Sequence, residues 1–174
     1  INFLGSILET MICNLSELGG SDIVIPFVDN SKILNNNQAK NIVNFIDEFK
    51  NLCESKNINL SLETDLNPKD FCTLISKFSS SKVTINYDSG NSASMGYKFK
   101  DEIELYGEKI SNIHIKDRKY KGGPVLLGQG EAELEFVKEF IYNDFKGEVV
   151  TFQSFRDAKP LETFKKQFKF FSAI

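Results

Sequence analysis

The chain has 174 residues, of which 41% are hydrophobic and 26% charged, so it is long enough to bury the core of a globular domain. Its net charge of -3 argues against a nucleic-acid-binding protein, because binding a phosphate backbone requires an excess of basic residues. No apolar stretch approaches the roughly 18 residues needed to cross a membrane, and the three cysteines fit neither a disulfide framework nor a zinc knuckle. We therefore expect a cytoplasmic protein with no nucleic-acid or membrane partner, and we leave a homo-oligomer open.

The hydrophobic pattern alternates between helix and strand periods along the whole chain. A helix over ILETMICNLSEL precedes the strand DIVIPFVD, and a helix over about 38–55 precedes the strand INLSLETD. Asn67 and Pro68 begin a further helix, followed by the strand KVTINYD, and a helix near 98–108 leads to SNIHIKD. A glycine-rich loop, the helix ELEFVKEFIYNDF, the strand EVVTFQS and a last helix complete the chain. Five strands alternating with helices indicate a parallel α/β sheet, either open or closed into a barrel.

Side-chain alternation in the last four strands distinguishes these two architectures. One face of each strand is apolar, and the other carries a small polar residue followed, near the carboxyl end, by Glu63, Asp88, His114 or Gln153. An open sheet covered by helices on both sides would be apolar on both faces. A barrel interior accepts polar residues, and the carboxyl ends of its strands collect the active site. The pattern therefore predicts a parallel (βα) barrel of the TIM type.

These four strand-end residues are expected to converge on one point. Two carboxylates and an imidazole form a mixed oxygen and nitrogen site that suits a divalent metal such as Mn, Mg, Co or Zn. Taken singly, His114, which is the only histidine, could be a satisfied core residue, and Glu63 or Asp88 could cap the next helix. Their shared position at successive strand ends favours the joint site.

Several stretches resemble consecutive parts of the xylose-isomerase-like TIM-barrel superfamily, in particular its sugar phosphate isomerases and epimerases. These stretches are SLETDLNP, INYDSGNSASMGY, IHIKDR followed by LGQGEAE, and VTFQSFRD, and the resemblance runs from about Ile23 to the C-terminus. It implies metal ligands Glu, Asp, His and Glu, which correspond here to Glu63, Asp88, His114 and position 153. It also implies a single partial domain over residues 1–174 that supplies the fourth to eighth strands and lacks the N-terminal ones.

The fourth ligand position departs from that pattern. Gln153 can ligate a metal through its amide oxygen but cannot remove a proton. The resemblance implies that epimerases use two glutamates on opposite faces of the substrate, whereas an isomerisation needs one base, which Glu63 could supply. We expect a metal-dependent isomerase or epimerase of carbohydrate metabolism that works through an enediolate, with Glu63 and Gln153 as catalytic residues and isomerisation favoured.

The expected substrate is a small sugar or sugar phosphate. Lys116, Arg118 and Arg156 could reach an oxyanion or phosphate, Asn91 could bind a sugar hydroxyl, and glycines in KGGPVLLGQG permit backbone N–H groups to approach an anion. A solvated charge run is an equally good interpretation of KDRKYK.

Two other functions remain open at this stage. Gln153 also suits a non-catalytic sugar-binding relative, which would bind its ligand without turning it over. An apurinic endonuclease shares the superfamily fold, but one histidine and an acidic chain disfavour it.

Overall fold

A computed structural model describes residues 3–153 and 155–174. The helices are α1 (Phe3–Glu17), α2 (Asn36–Asp47), α3 (Lys50–Lys56), α4 (Pro68–Ile75), α5 (Ser89–Met95), α6 (Phe99–Tyr106), α7 (Leu134–Asn143) and α8 (Pro160–Ala173). The strands are β1 (Asp22–Phe27), β2 (Asn59–Thr64), β3 (Val83–Asp88), β4 (Ile110–Ile115), β5 (Asp117–Arg118), β6 (Pro124–Val125) and β7 (Val149–Phe152). None of the helices in these ranges is both long and apolar enough to cross a membrane.

The chain divides into two compact units, residues 1–85 and 86–174, and the boundary falls inside β3. In the first unit β1 and β2 are parallel, with Ile23 opposite Leu60, and β2 pairs in the same sense with the first half of β3. In the second unit β4 and β7 are parallel, with His114 opposite Thr151. The strand order is β1-β2-β3-β4-β7, and β5 and β6 form a separate antiparallel pair. The five long strands begin within one residue of their predicted starts.

The first unit buries aliphatic side chains from its strands and helices. Ile12 of α1 and Leu62 of β2 are fully buried. Cys53 of α3 is also buried as a small core residue, and burial raises the pKa of its thiol to about 11. The side of α1 that carries Ile7, Leu8, Met11 and Ile12 is only partly buried, since Ile7 and Met11 are exposed.

The helix predicted over 38–55 is two helices, α2 and α3. The backbone N–H of Phe49 donates to the carbonyl of Ile46, a tight i to i−3 bond of the kind that ends a helix. The Phe49 ring is buried and meets Phe45 edge to face at 5.4 Å. Packing of this ring therefore accompanies a break that the hydrophobic period did not indicate.

The second unit has two aromatic clusters. Phe99 of α6 lies edge to face with Tyr87 of β3 and Phe140 of α7, at centroid distances of 5.4 and 5.8 Å. Phe152 of β7 contacts three rings of α8, namely Phe164, Phe168 and Phe171. The apolar side of α8 is only partly buried, because Phe171 is buried whereas Leu161, Phe164 and Phe168 are exposed.

Candidate metal centre

Asp88 ends β3 and uses its two carboxylate oxygens differently. Oδ1 accepts the backbone N–H of Asn91 at 2.8 Å and caps the start of α5. Oδ2 is buried, lies 3.9 Å from Nδ1 of His114 and 3.5 Å from Nζ of Lys116, and has no hydrogen-bond partner among the described residues. The capping role and the role of metal ligand therefore do not exclude each other, because each needs one oxygen.

His114 lies in β4 with 10% of its side chain exposed. The side-chain amide nitrogens of Asn86 and Gln153 lie 3.1 and 2.8 Å from its Nδ1. With both amides in this orientation their nitrogens are the donors, and Nδ1 accepts through its lone pair. Burial lowers the pKa of His114, the nearby Asp88 carboxylate opposes that shift, and Lys116 adds to it. The neutral imidazole favoured here is the form that binds metals.

Gln153 follows β7 directly and continues its ladder. Its backbone N–H donates to the carbonyl of Ile115 at 3.0 Å, which fixes the side chain next to His114. Rotation of the side-chain amide by half a turn exchanges its nitrogen and oxygen. Gln153 can thus present either a donor or a ligating oxygen to the space beside His114.

Glu63 belongs to the first unit, where it is the penultimate residue of β2. It lies in register with Pro26 of β1, and it follows the fully buried Leu62. Its exposure is only 8%, which is low for a carboxylate. A buried acid near the carboxyl end of a parallel strand agrees with the position predicted for this residue.

The residues predicted to bind substrate have different surroundings. Nη1 of Arg118 donates to Oδ1 of Asn91 at 2.9 Å, and its Nε donates to the carbonyl of Gly122 at 3.0 Å. Arg156 is exposed, and it makes no hydrogen bond or ion pair with the described residues, 3–153 and 155–174. Arg118 is therefore hydrogen-bonded to Asn91. The role of Arg156 stays a prediction.

Asp117 is a structural anchor that the sequence analysis missed. Its carboxylate is 1% exposed and accepts the backbone N–H groups of Gly128 at 2.9 Å, Gly130 at 2.8 Å and Ala132 at 3.0 Å. A side chain at position 130 would overlap this carboxylate, which explains the glycine. The glycine-rich loop does approach an anion, as its sequence suggested, but these donors bind a carboxylate of the protein itself. An Asp followed 11 and 13 residues later by glycines was the available signal.

Replacing Asp117 with alanine is expected to lower the free energy of unfolding by about 3–5 kcal/mol, because three backbone N–H donors lose their buried, charged acceptor together. Urea denaturation followed by circular dichroism measures this change. Asp144→Ala, at an exposed position of the same unit, is the matched control. A loss for Asp117→Ala no larger than that of the control would contradict an anchoring role.

Glu102 of α6 is a second buried acid that sequence reasoning missed. It accepts hydrogen bonds from the hydroxyls of Ser92 in α5 and Tyr106 in α6, the latter at 2.6 Å. Burial raises the pKa of the Glu102 carboxyl, and hydrogen bonds from Ser92, Tyr106 and Tyr87 oppose the rise. The sequence around Glu102 predicts the start of a helix, and it gives no indication that this carboxylate is buried. Glu102 ties α6 to α5, the helix that Asp88 caps.

No protein-family model matches this sequence, and a search of curated proteins finds no match. Solved structures do match. They include the IolI protein with a bound zinc atom (19% identity, TM-score 0.77, 97% of this chain and 68% of that chain). They also include 3-keto-D-glucoside 4-epimerase YcjR from E. coli (15% identity, TM-score 0.76, 98% of this chain and 70% of that chain). A third is a xylose isomerase-like TIM barrel protein from Mycobacterium smegmatis in complex with magnesium (12% identity, TM-score 0.74, 97% of this chain and 67% of that chain).

These likenesses establish the fold of the chain. Its match to xylose isomerase-like TIM-barrel proteins confirms the predicted resemblance and the predicted incomplete barrel of five parallel strands. The chain spans about two thirds of the length of each of these proteins. Sugar epimerases are among the structures that share the fold.

Proposed function

We propose that this chain is part of a metal-dependent sugar isomerase or epimerase, with a divalent cation held by Glu63, Asp88, His114 and Gln153. The observation that carries the proposal is the arrangement around Nδ1 of His114. The Gln153 amide lies 2.8 Å from this nitrogen, and the Asp88 oxygen that lacks a hydrogen bond lies 3.9 Å from it. These groups come from the carboxyl ends of three strands, where TIM barrels place their active sites.

The side chains fit a divalent cation. Two carboxylates balance its charge, and a neutral imidazole with an amide oxygen completes a mixed set that zinc, manganese, magnesium or cobalt accepts. Asp88 Oδ2 is buried and makes no hydrogen bond to the described residues, so its lone pairs are open to a cation, and the Lys116 ammonium 3.5 Å away partly balances its charge. Similar folds carry zinc in one solved structure and magnesium in another, which supports a metal but does not select one. A bound cation supplies polarisation of a substrate carbonyl.

Glu63 is the proposed base. Its buried carboxylate removes the proton from the carbon next to the substrate carbonyl and returns it to the former carbonyl carbon, with an enediolate between the two transfers. The hydroxyl proton moves to the former carbonyl oxygen, so both the carbon-bound and the oxygen-bound hydrogens are conserved. Lys116 and Arg118 bind substrate oxygens or a phosphate, and Asn91 binds a hydroxyl while it holds Arg118. Arg156 is the further anion-binding residue of this proposal.

Gln153 favours isomerisation over epimerisation. An amide cannot accept or deliver the second proton that inversion of a stereocentre requires, whereas a single base on one face suffices for an aldose to ketose conversion. The same residue favours the second candidate, a non-catalytic sugar-binding protein. That protein would bind a sugar with the same groups and leave its C–H bonds intact.

Hydrogen exchange tests the proposal. The full chain is loaded with Mn²⁺ and incubated in deuterated water with a panel of ketoses and ketose phosphates, and deuterium next to the carbonyl is measured by mass spectrometry. We expect incorporation for at least one substrate, and removal of the metal by a chelator should stop it. Tight binding without incorporation would support the non-catalytic candidate, and neither binding nor incorporation would contradict both.

Replacing Gln153 with glutamate is expected to tighten Mn²⁺ binding by about tenfold or more, because a charged ligand replaces a neutral one beside His114. Isothermal titration calorimetry of the two proteins measures the difference. Gln129→Glu is the matched control, since it makes the same substitution at an exposed position of the same unit. Equal affinities for wild type and Gln153→Glu would remove position 153 from the metal site.

A further inference from the structure

Lys116 places a positive charge against a proposed metal ligand. Its Nζ lies 3.5 Å from Oδ2 of Asp88, the same oxygen that lacks a hydrogen bond and that lies near His114. The side chain is 21% exposed, so solvent screens this ion pair only partly. The ammonium therefore binds the oxygen that the cation also needs.

Three consecutive residues build this position of Lys116. The hydroxyl of Ser89 lies 3.0 Å from the backbone nitrogen of Lys116 and 2.7 Å from its carbonyl oxygen, which fixes the backbone. A Cβ at Gly90 would lie 2.7 Å from Cγ of Lys116, so glycine is required for the aliphatic stem to lie over the start of α5. The carboxylate of Asp88 then forms an ion pair with the ammonium of Lys116. The sequence Asp-Ser-Gly thus provides the ion-pair partner, the backbone contact and the space.

A metal ion and this ammonium cannot both use Asp88 Oδ2 without a cost. A divalent cation lies about 2.0–2.2 Å from a carboxylate oxygen, which would put it within about 6 Å of Nζ in the position observed. Like charges at this separation repel strongly in a partly buried site. Either the cation binds more weakly, or the flexible lysine side chain moves away.

We propose that Lys116 is an internal competitor of the metal, which holds Asp88 when no cation is bound and releases that carboxylate when one binds. This inference rests on the proposed function, because it takes Asp88 as a metal ligand. Release frees the ammonium to bind an oxygen of the substrate. Metal binding therefore precedes and promotes tight binding of an anionic substrate.

Calorimetric titration with Mn²⁺ alone tests the competition. Lys116→Gln is expected to bind Mn²⁺ about tenfold more tightly than wild type, because the competing charge is gone. Lys119→Gln, at an exposed position in the same segment, should leave the affinity unchanged. Equal or weaker binding by Lys116→Gln overturns the inference while leaving the metal site in place. Absence of Mn²⁺ binding by wild type overturns the metal site and the inference together.

A second measurement uses the unaltered chain, so it does not depend on how a variant folds. Trace acetylation with acetic anhydride, read by mass spectrometry, reports the reactivity of each lysine relative to Lys119. Mn²⁺ is expected to increase the relative reactivity of Lys116, because the amine leaves its carboxylate partner. Unchanged or decreased reactivity at saturating Mn²⁺ contradicts the release of Asp88.

Discussion

Replacing Glu63 with glutamine is expected to reduce deuterium exchange next to the substrate carbonyl by about 10²- to 10⁴-fold, the size of effect that a positioned base contributes. Glutamine keeps the shape of the side chain and an oxygen that can ligate, but it cannot take up the proton. Burial of Glu63 at 8% exposure makes water a poor substitute. The rate is measured at saturating Mn²⁺, so that a weaker metal affinity does not enter the comparison.

Asp65→Asn is the matched control for this variant. Asp65 is also a carboxylate of the segment that ends β2, and it accepts the backbone N–H of Asp29 at 2.8 Å. Its loss should leave the exchange rate within about twofold of wild type, because its carboxylate holds the backbone of Asp29 and is not the proposed base. If Glu63→Gln keeps the full exchange rate, another residue is the base.

Replacing His114 with alanine is expected to weaken Mn²⁺ binding by about 100-fold or more. Loss of an outer-sphere partner of a metal ligand already costs about 10- to 100-fold, and His114 is proposed to be a ligand itself. The change also removes the group on which the Asn86 and Gln153 amides converge, so both lose their partner together. Isothermal titration calorimetry measures the affinity.

Thr151→Ala is the control for the histidine variant, because Thr151 lies opposite His114 in the β4–β7 register and is exposed. Its affinity for Mn²⁺ should match that of wild type. Thermal unfolding of both variants separates a loss of binding from a loss of folding. Wild-type affinity in His114→Ala would exclude the histidine from the centre.

The strand-end residues of the second unit could be predicted from the sequence because their signal is local. Alternation in a strand sends every second side chain to the same face, so Asn112 and His114 share a face whatever the helices do. The structure buries both, and it places Asp88 and Gln153 beside the imidazole. The alternation of side chains and the order of the strands were sufficient to predict that these side chains lie close together.

The surroundings of those residues could not be predicted in the same way. Asp117 is held by N–H groups that follow it by 11–15 residues, and Glu102 is buried by hydroxyls from two helices. Neither arrangement produces a periodic pattern in the sequence, because each depends on how a loop or helix folds back onto the residue. The ion pair of Lys116 with Asp88 likewise spans 28 positions.

For helices, the sequence indicates which residues share a face but not whether that face is buried. The phenylalanines that recur with a helical period along α8 form one apolar side, and Phe152 packs against Phe164, Phe168 and Phe171 on it. Burial did not follow for all of it, because Phe168 is 50% exposed. A hydrophobic period indicates which residues share a face, whereas burial depends on what packs against that face.

Zinc anomalous diffraction from crystals of the zinc-loaded chain can locate the proposed cation. A single strong peak is expected within about 2.0–2.2 Å of an imidazole nitrogen of His114 and of carboxylate oxygens of Asp88 and Glu63. A peak elsewhere on the chain, or none at these three residues with zinc in excess, would contradict the proposed metal site.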